Sequence, residues 1–97
     1  MSYEHIELPA GGEKISVRDG KLQVPDQPIL GYVEGDGIGV DITPVMRDVV
    51  DAAVQKAFGG SRKIAWLEIY AGEKANTIYG ENTWMPGETL AAIKDFA

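Results

Sequence analysis

Cysteine is missing from the 97-residue sequence, and with it go disulfides and thiolate metal sites. Basic residues are scarce and scattered: nine Lys and Arg stand against fifteen Asp and Glu, a formal net charge of -6. A chain of that sign without a basic cluster is not suited to nucleic acid or to an anionic membrane surface. No apolar run approaches bilayer-crossing length. The opening stretch MSYEHIELPAGGEK has neither the basic nor the long apolar region of a secretory signal. The expected setting is the cytoplasm, with no nucleic-acid and no membrane partner. Histidine occurs once, as His5, near an N-terminus expected to be mobile, so no catalytic role is expected of it.

What the sequence does have is the balance of a globular chain, 44% apolar and 25% charged, enough for one small domain with a modest core. Residues 15–24, ISVRDGKLQV, predict a β-hairpin turning at Asp19-Gly20, because a tight two-residue turn needs positive φ at both central positions. In that register Val17 opposes Leu22 and Ile15 opposes Val24. Four apolar side chains then share one face, which is expected to pack inward or against a partner. Pro25 and Pro28 end the hairpin. ILGYV, residues 29–33, predicts a strand buried on both faces of an α/β sheet.

Further along, Ile42, Val45, Met46, Val49, Val50, Ala53, Val54, Ala57 and Phe58 follow a helical stripe. Asp41 or Thr43 is the candidate cap, Pro44 is expected in the first turn, and Gly59-Gly60 provides the stop. A second strand is predicted in RKIAWLEIYAG, with Ala65, Leu67 and Ile69 on one face and Trp66, Glu68 and Tyr70 on the other. GEKANTIYG reads as one or two helical turns closed by Gly80. WMPGETLAAIKDFA reads as a helix started at Pro86, with Leu90, Ile93 and Ala97 in its apolar stripe and Phe96 beside it. This alternation indicates a layered α/β sheet. Two core strands are few for these helices, so the sequence is expected to be the N-terminal piece of a longer protein.

Between the first core strand and the long helix lies YVEGDGIGVD, residues 32–41. Its glycines spell G-D-G-I-G. The dinucleotide fingerprint G-x-G-x-x-G fails, because position 40 is Val, and no Lys-Ser or Lys-Thr pair follows to make a P-loop. Asp36 and Asp41 at the helix entrance would also compete with an anion for the free N–H groups. The glycines instead permit a tight, close-approach turn. Ile38 is the one apolar side chain among them, and a flat ring such as adenine could rest on it if it projects outward. A connection that only lets strand and helix pack is the competing reading of the same residues.

PILGYVEGDGIGVDITPVMRDVVDAAV and RKIAWLEIYAGEKANTIYGENTWMPGETLAAIKDF resemble the start of bacterial-type NADP-dependent isocitrate dehydrogenases, in the β-decarboxylating dehydrogenase family. The likeness runs from Lys14 to Phe96. EGDGIG marks the wider family. Glu34 before G-D-G, the hairpin in front, and YAGEKANTIYG point to the isocitrate type rather than to isopropylmalate or homoisocitrate enzymes. The resemblance implies oxidative decarboxylation of isocitrate to 2-oxoglutarate by a homodimer using NADP and Mg2+ or Mn2+. It implies a two-domain α/β fold unrelated to the Rossmann fold. Residues 28–97 would be an incomplete segment of the large domain, and residues 1–27 an N-terminal extension carrying the hairpin. It further implies that Ile38 lies beside the adenine end of the cofactor, with Gly37 as its backbone neighbour. The family's catalytic and metal-binding residues come later in its sequence, so none is assigned here. The reading from another class is a free-standing α/β binding or interaction module.

Some residues invite more than they support. Tyr70, Tyr79, Lys74 and Glu73 are of types suited to proton transfer, yet a packed, solvent-facing corner accounts for them. Trp66 and Trp84 are expected to bury their rings in the core or at a domain contact. Asp36 and Asp41 are two carboxylates without a third ligand, and capping or turn formation explains both.

Overall fold

The computed structural model describes residues 3–96. The hairpin forms in the expected register: β1 (Ser16–Arg18) and β2 (Lys21–Gln23) are antiparallel with Val17 opposite Leu22. Asp19 and Gly20 lie at φ 52° and 75°. β3 (Ile29–Val33) pairs in parallel with β4 (Ala65–Ile69), Ile29 opposite Ala65 and Val33 opposite Ile69. A parallel pair needs a long crossover, which α1 (Gly39–Phe58) supplies. Two shorter helices follow, α2 (Glu73–Tyr79) and α3 (Gly87–Phe96). The described residues thus make a small α/β unit of two two-stranded sheets and three helices.

The β3–β4 sheet carries packing on both sides. On one face Ile29, Leu67 and Ile69 meet Ala92 of α3 and Ile6 of the N-terminal segment. On the other, α1 is joined through Arg47. Its guanidinium donates to the Tyr32 hydroxyl at 2.8 Å and lies 4.8 and 5.5 Å from the Tyr32 and Trp66 ring centres. Trp66 Nε1 donates to Asp51 at 2.9 Å.

Several expectations are corrected. Neither Asp41 nor Thr43 caps α1, because the glycine turn winds straight into the helix: Gly39 N–H bonds to the Asp36 carbonyl and Asp41 N–H to the Ile38 carbonyl, both at 3.0 Å. Thr43 and Pro44 therefore fall beyond the first turn, and the buried Thr43 hydroxyl donates back to the Glu34 carbonyl at 2.7 Å. The α1 stripe is helical, but Ile42, Val45, Met46 and Val49 are exposed. A sheet two strands wide, with strands about 5 Å apart, covers only a narrow strip of a helix about 10 Å across. That strip is taken by Thr43, Arg47, Val50 and Val54. For the same reason β3 is not buried on both faces, and Gly31 and Val33 are exposed.

The hairpin's apolar face also looks outward, with Val17 at 68% and Leu22 at 65% exposure. The hairpin is attached at its base, where Ile29 N–H bonds to the Glu13 carbonyl at 2.9 Å. In α3 the small Thr89 and Ala92 are buried instead of Leu90 and Ile93, since the Thr89 hydroxyl donates to the Tyr70 carbonyl at 2.6 Å and draws that face in. Phe96 is half-buried against the core, and Ala97 lies outside the described residues. Trp66 is half-buried as expected, whereas the Trp84 ring is exposed. Trp84 is held through its backbone, its carbonyl accepting the Gly72 N–H at 2.8 Å. The N-terminal segment is pinned rather than free: the Glu88 carboxylate accepts the N–H groups of Glu4, His5 and Ile6. No helix among the described residues is long and apolar enough to cross a membrane.

Candidate functional site

In open α/β sheets, ligands bind outside the carboxyl ends of parallel strands. Here β3 and β4 both end at one edge, where the glycine turn meets the start of α2. Gly35 and Gly37 take φ of 86° and 58°, values that side chains resist. Gly39 is required by close approach, as a Cβ there would lie 2.5 Å from the Glu34 carbonyl oxygen. The chain thereby reverses within a few residues and presents Ile38 as the residue before α1, with no side-chain cap and 75% exposure. A Cβ on Gly37 would meet nothing within 4 Å.

Of the two acidic residues at this entrance, Asp41 is exposed in the first turn of α1. Asp36 is engaged elsewhere: its Oδ1 accepts the Glu73 N–H of α2 at 3.0 Å. The pair therefore shares no site. Among the described residues, no group of three or more His, Asp or Glu is placed to hold a metal ion.

The expected solvent-facing corner of Tyr70, Tyr79, Lys74 and Glu73 is half-buried except at Glu73. It divides into two structural joints. Lys74 Nζ reaches Glu34 at 3.3 Å and also pairs with Glu68. The Tyr79 hydroxyl donates to Glu88 while its ring meets His5 edge-on at 4.6 Å. Burial alone would lower the Lys74 pKa, but Glu68 and Glu34 raise it above its ordinary value. Tyr70 and Tyr79 are pushed up by burial, and for Tyr79 by its bond to Glu88. A proton-transfer group works best near the operating pH, and all three shifts lead away from it.

An apolar opening of about 200 Å³ is lined by Gly31, Leu67, Ile69, Ala92, Ile93 and Phe96. It lies on the α3 face of the sheet, and no polar side chain enters it to orient a ligand. The candidate site is therefore the glycine turn, with Gly37 and Ile38 brought together at the helix entrance. Sequence reasoning missed the roles of Glu88, Arg47 and Thr89, and the side-chain target of Asp36. Their partners are distant in the chain, so no local signal marks them.

No protein-family model matches this chain. The chain is 58% identical over 96 residues to isocitrate dehydrogenase (NADP) of Coxiella burnetii, covering 99% of this chain and 22% of that protein. With the Pseudomonas aeruginosa protein of that name it shares 59% identity over 97 residues, 99% of this chain and 23% of the relative. With the Archaeoglobus fulgidus protein it shares 47% over 96 residues, again 99% of this chain and 22% of the relative. The chain thus spans about 22% of the length of the relatives it matches. Over nearly all of its own length, it corresponds to the N-terminal region of NADP-dependent isocitrate dehydrogenases.

Proposed function

We propose that this chain is the N-terminal part of an NADP-dependent isocitrate dehydrogenase. The enzyme oxidises isocitrate and decarboxylates it to 2-oxoglutarate with reduction of NADP, as a cytoplasmic homodimer. Within it, the glycine turn is a shelf for the nucleoside end of the cofactor: Ile38 bears against one face of the adenine ring, and Gly37 keeps the backbone beside it clear. The observation that carries this reading is the outward-facing Ile38, an apolar side chain 75% exposed at the carboxyl end of a parallel strand. The Mg2+ or Mn2+ that the reading implies belongs to parts of the enzyme outside these residues. So do the groups that move protons, and no step of the chemistry is assigned to this chain.

The test is the full-length product of the reading frame that contains these residues. It should form NADPH in the presence of isocitrate and a divalent cation. The 97-residue chain by itself should not, lacking both general base and metal set. Turnover of 3-isopropylmalate in place of isocitrate would move the protein to the sister enzymes. In the full-length enzyme, Ile38→Ala removes apolar contact worth about 1 kcal/mol, so KM for NADP should rise several-fold. The hydride is remote from the adenine, so kcat and the isocitrate KM should stay near their original values, the mark of lost uniform binding. An unchanged KM for NADP would leave Ile38 a packing residue.

A further inference from the structure

We propose that Asp36 is a positioning residue for the nucleotide shelf: its side chain fastens the glycine turn to α2 and so fixes where Ile38 points. The inference rests on the shelf reading of Ile38 and adds what holds the shelf in place.

The turn has little packing of its own. Two of its residues are glycines with positive φ, Gly35 and Gly37, and Ile38 projects into open space. Asp36, between those glycines, is held at both ends. Its carbonyl accepts the Gly39 N–H at 3.0 Å, and its Oδ1 accepts the Glu73 N–H at 3.0 Å. The second contact is built for: Gly72, at φ 80°, lies so close that a Cβ there would overlap the Asp36 carboxylate. The next residue of α2 repeats the attachment, with Lys74 Nζ 3.3 Å from Glu34 at the other end of the turn. Two consecutive residues of α2 thus grip the turn on either side of Gly35, across the carboxyl ends of β3 and β4. A turn fixed before the cofactor arrives does not lose its freedom on binding, and that saving appears as affinity.

In the full-length enzyme, Asp36→Ala should raise both KM and the calorimetric Kd for NADP about fivefold. The kcat and the isocitrate KM should remain near wild type. Asp36→Asn keeps the acceptor oxygen and should restore NADP binding to within about twofold. Gly72→Ala leaves Asp36 in the chain but displaces its carboxylate, and should weaken NADP as Asp36→Ala does. In an Ile38→Ala background Asp36→Ala should add no further loss, because its effect passes through Ile38. Folded Asp36→Ala with wild-type Kd, or equal losses in the Asn and Ala variants, would overturn the proposal. If Asp36→Ala does not fold, Gly72→Ala with weakened NADP beside Asp36→Asn near wild type supports it, and wild-type Kd in both overturns it. Ile38→Ala separates the two levels. If that variant alone binds NADP normally, the shelf reading falls and this proposal with it. If Ile38→Ala weakens NADP while Asp36→Ala does not, only the positioning role falls.

Discussion

Leu67→Ala is expected to lower the unfolding free energy by about 3 kcal/mol. Leu67 is fully buried, at the centre of the cluster made by Ile6, Ile29, Ile69 and Ala92. Its β4 backbone is locked to β3 opposite Gly31, so the strand cannot move in to fill the space. The side chain also borders the cavity of about 200 Å³ on the α3 face. Truncation therefore leaves space that the fixed strand cannot close, which adds to the lost transfer energy. The contrasting variant is Val49→Ala on α1. Val49 belongs to the apolar stripe but is 63% exposed, and a change of about 0.5 kcal/mol or less is expected. Urea unfolding followed by tryptophan fluorescence compares the two directly. Equal losses would mean that the α1 stripe is covered in solution.

That contrast shows what the sequence made legible. Signals carried by neighbouring residues read correctly: Asp19-Gly20 as a hairpin turn, ILGYV as a strand, RKIAWLEIYAG as holding a second one, and Gly59 and Gly80 as helix stops. The 3.6-residue periodicity of α1 gave the helix but not its covered face. A period reports that one face is apolar, and what lies against that face depends on how wide the sheet is. The shape of the glycine turn was legible for the same local reason, since glycines between strand and helix force a reversal that leaves Ile38 exposed at the tip. Its anchoring was not. Asp36 finds its partner 37 residues on, and Glu88 finds Glu4 84 residues back. A carboxylate on a helix or a turn looks the same in sequence whether it meets water or a distant backbone. Ile6 entered the core by the same route, carried there by a contact that no nearby residue announces.

Glu88→Ala is the second large effect, and it should release the N-terminal segment from α3. The Glu88 carboxylate accepts four donors: the N–H groups of Glu4, His5 and Ile6, and the Tyr79 hydroxyl. Ile6, 4% exposed, sits in the core at the end of this attachment. Charged acceptors make strong hydrogen bonds, but this one lies at a half-exposed rim where water replaces part of what is lost, so a cost of about 2 kcal/mol is expected. Hydrogen exchange at the Ile6 amide should accelerate before the rest of the protein opens. The same joint predicts a dependence on pH. Burial pushes the Glu88 carboxyl up, but the Tyr79 hydroxyl and the N–H groups of His5, Glu4 and Ile6 outweigh it, and the net shift is below the ordinary value of 4.5. A carboxyl whose folded pKa is depressed contributes its stability fully above the unfolded pKa, and loses it as pH falls through the folded value. The melting temperature should therefore fall below about pH 4.5 with a component due to Glu88. Tyr79 stays a donor at the alkaline end, since its pKa is raised by burial and by Glu88 itself. Glu88→Gln has nothing to titrate at that position. It should be the less stable protein at neutral pH, and the gap to wild type should close as pH falls. Parallel melting curves for the two proteins across that range would mean that the carboxylate charge is not what holds residues 4–6 against α3.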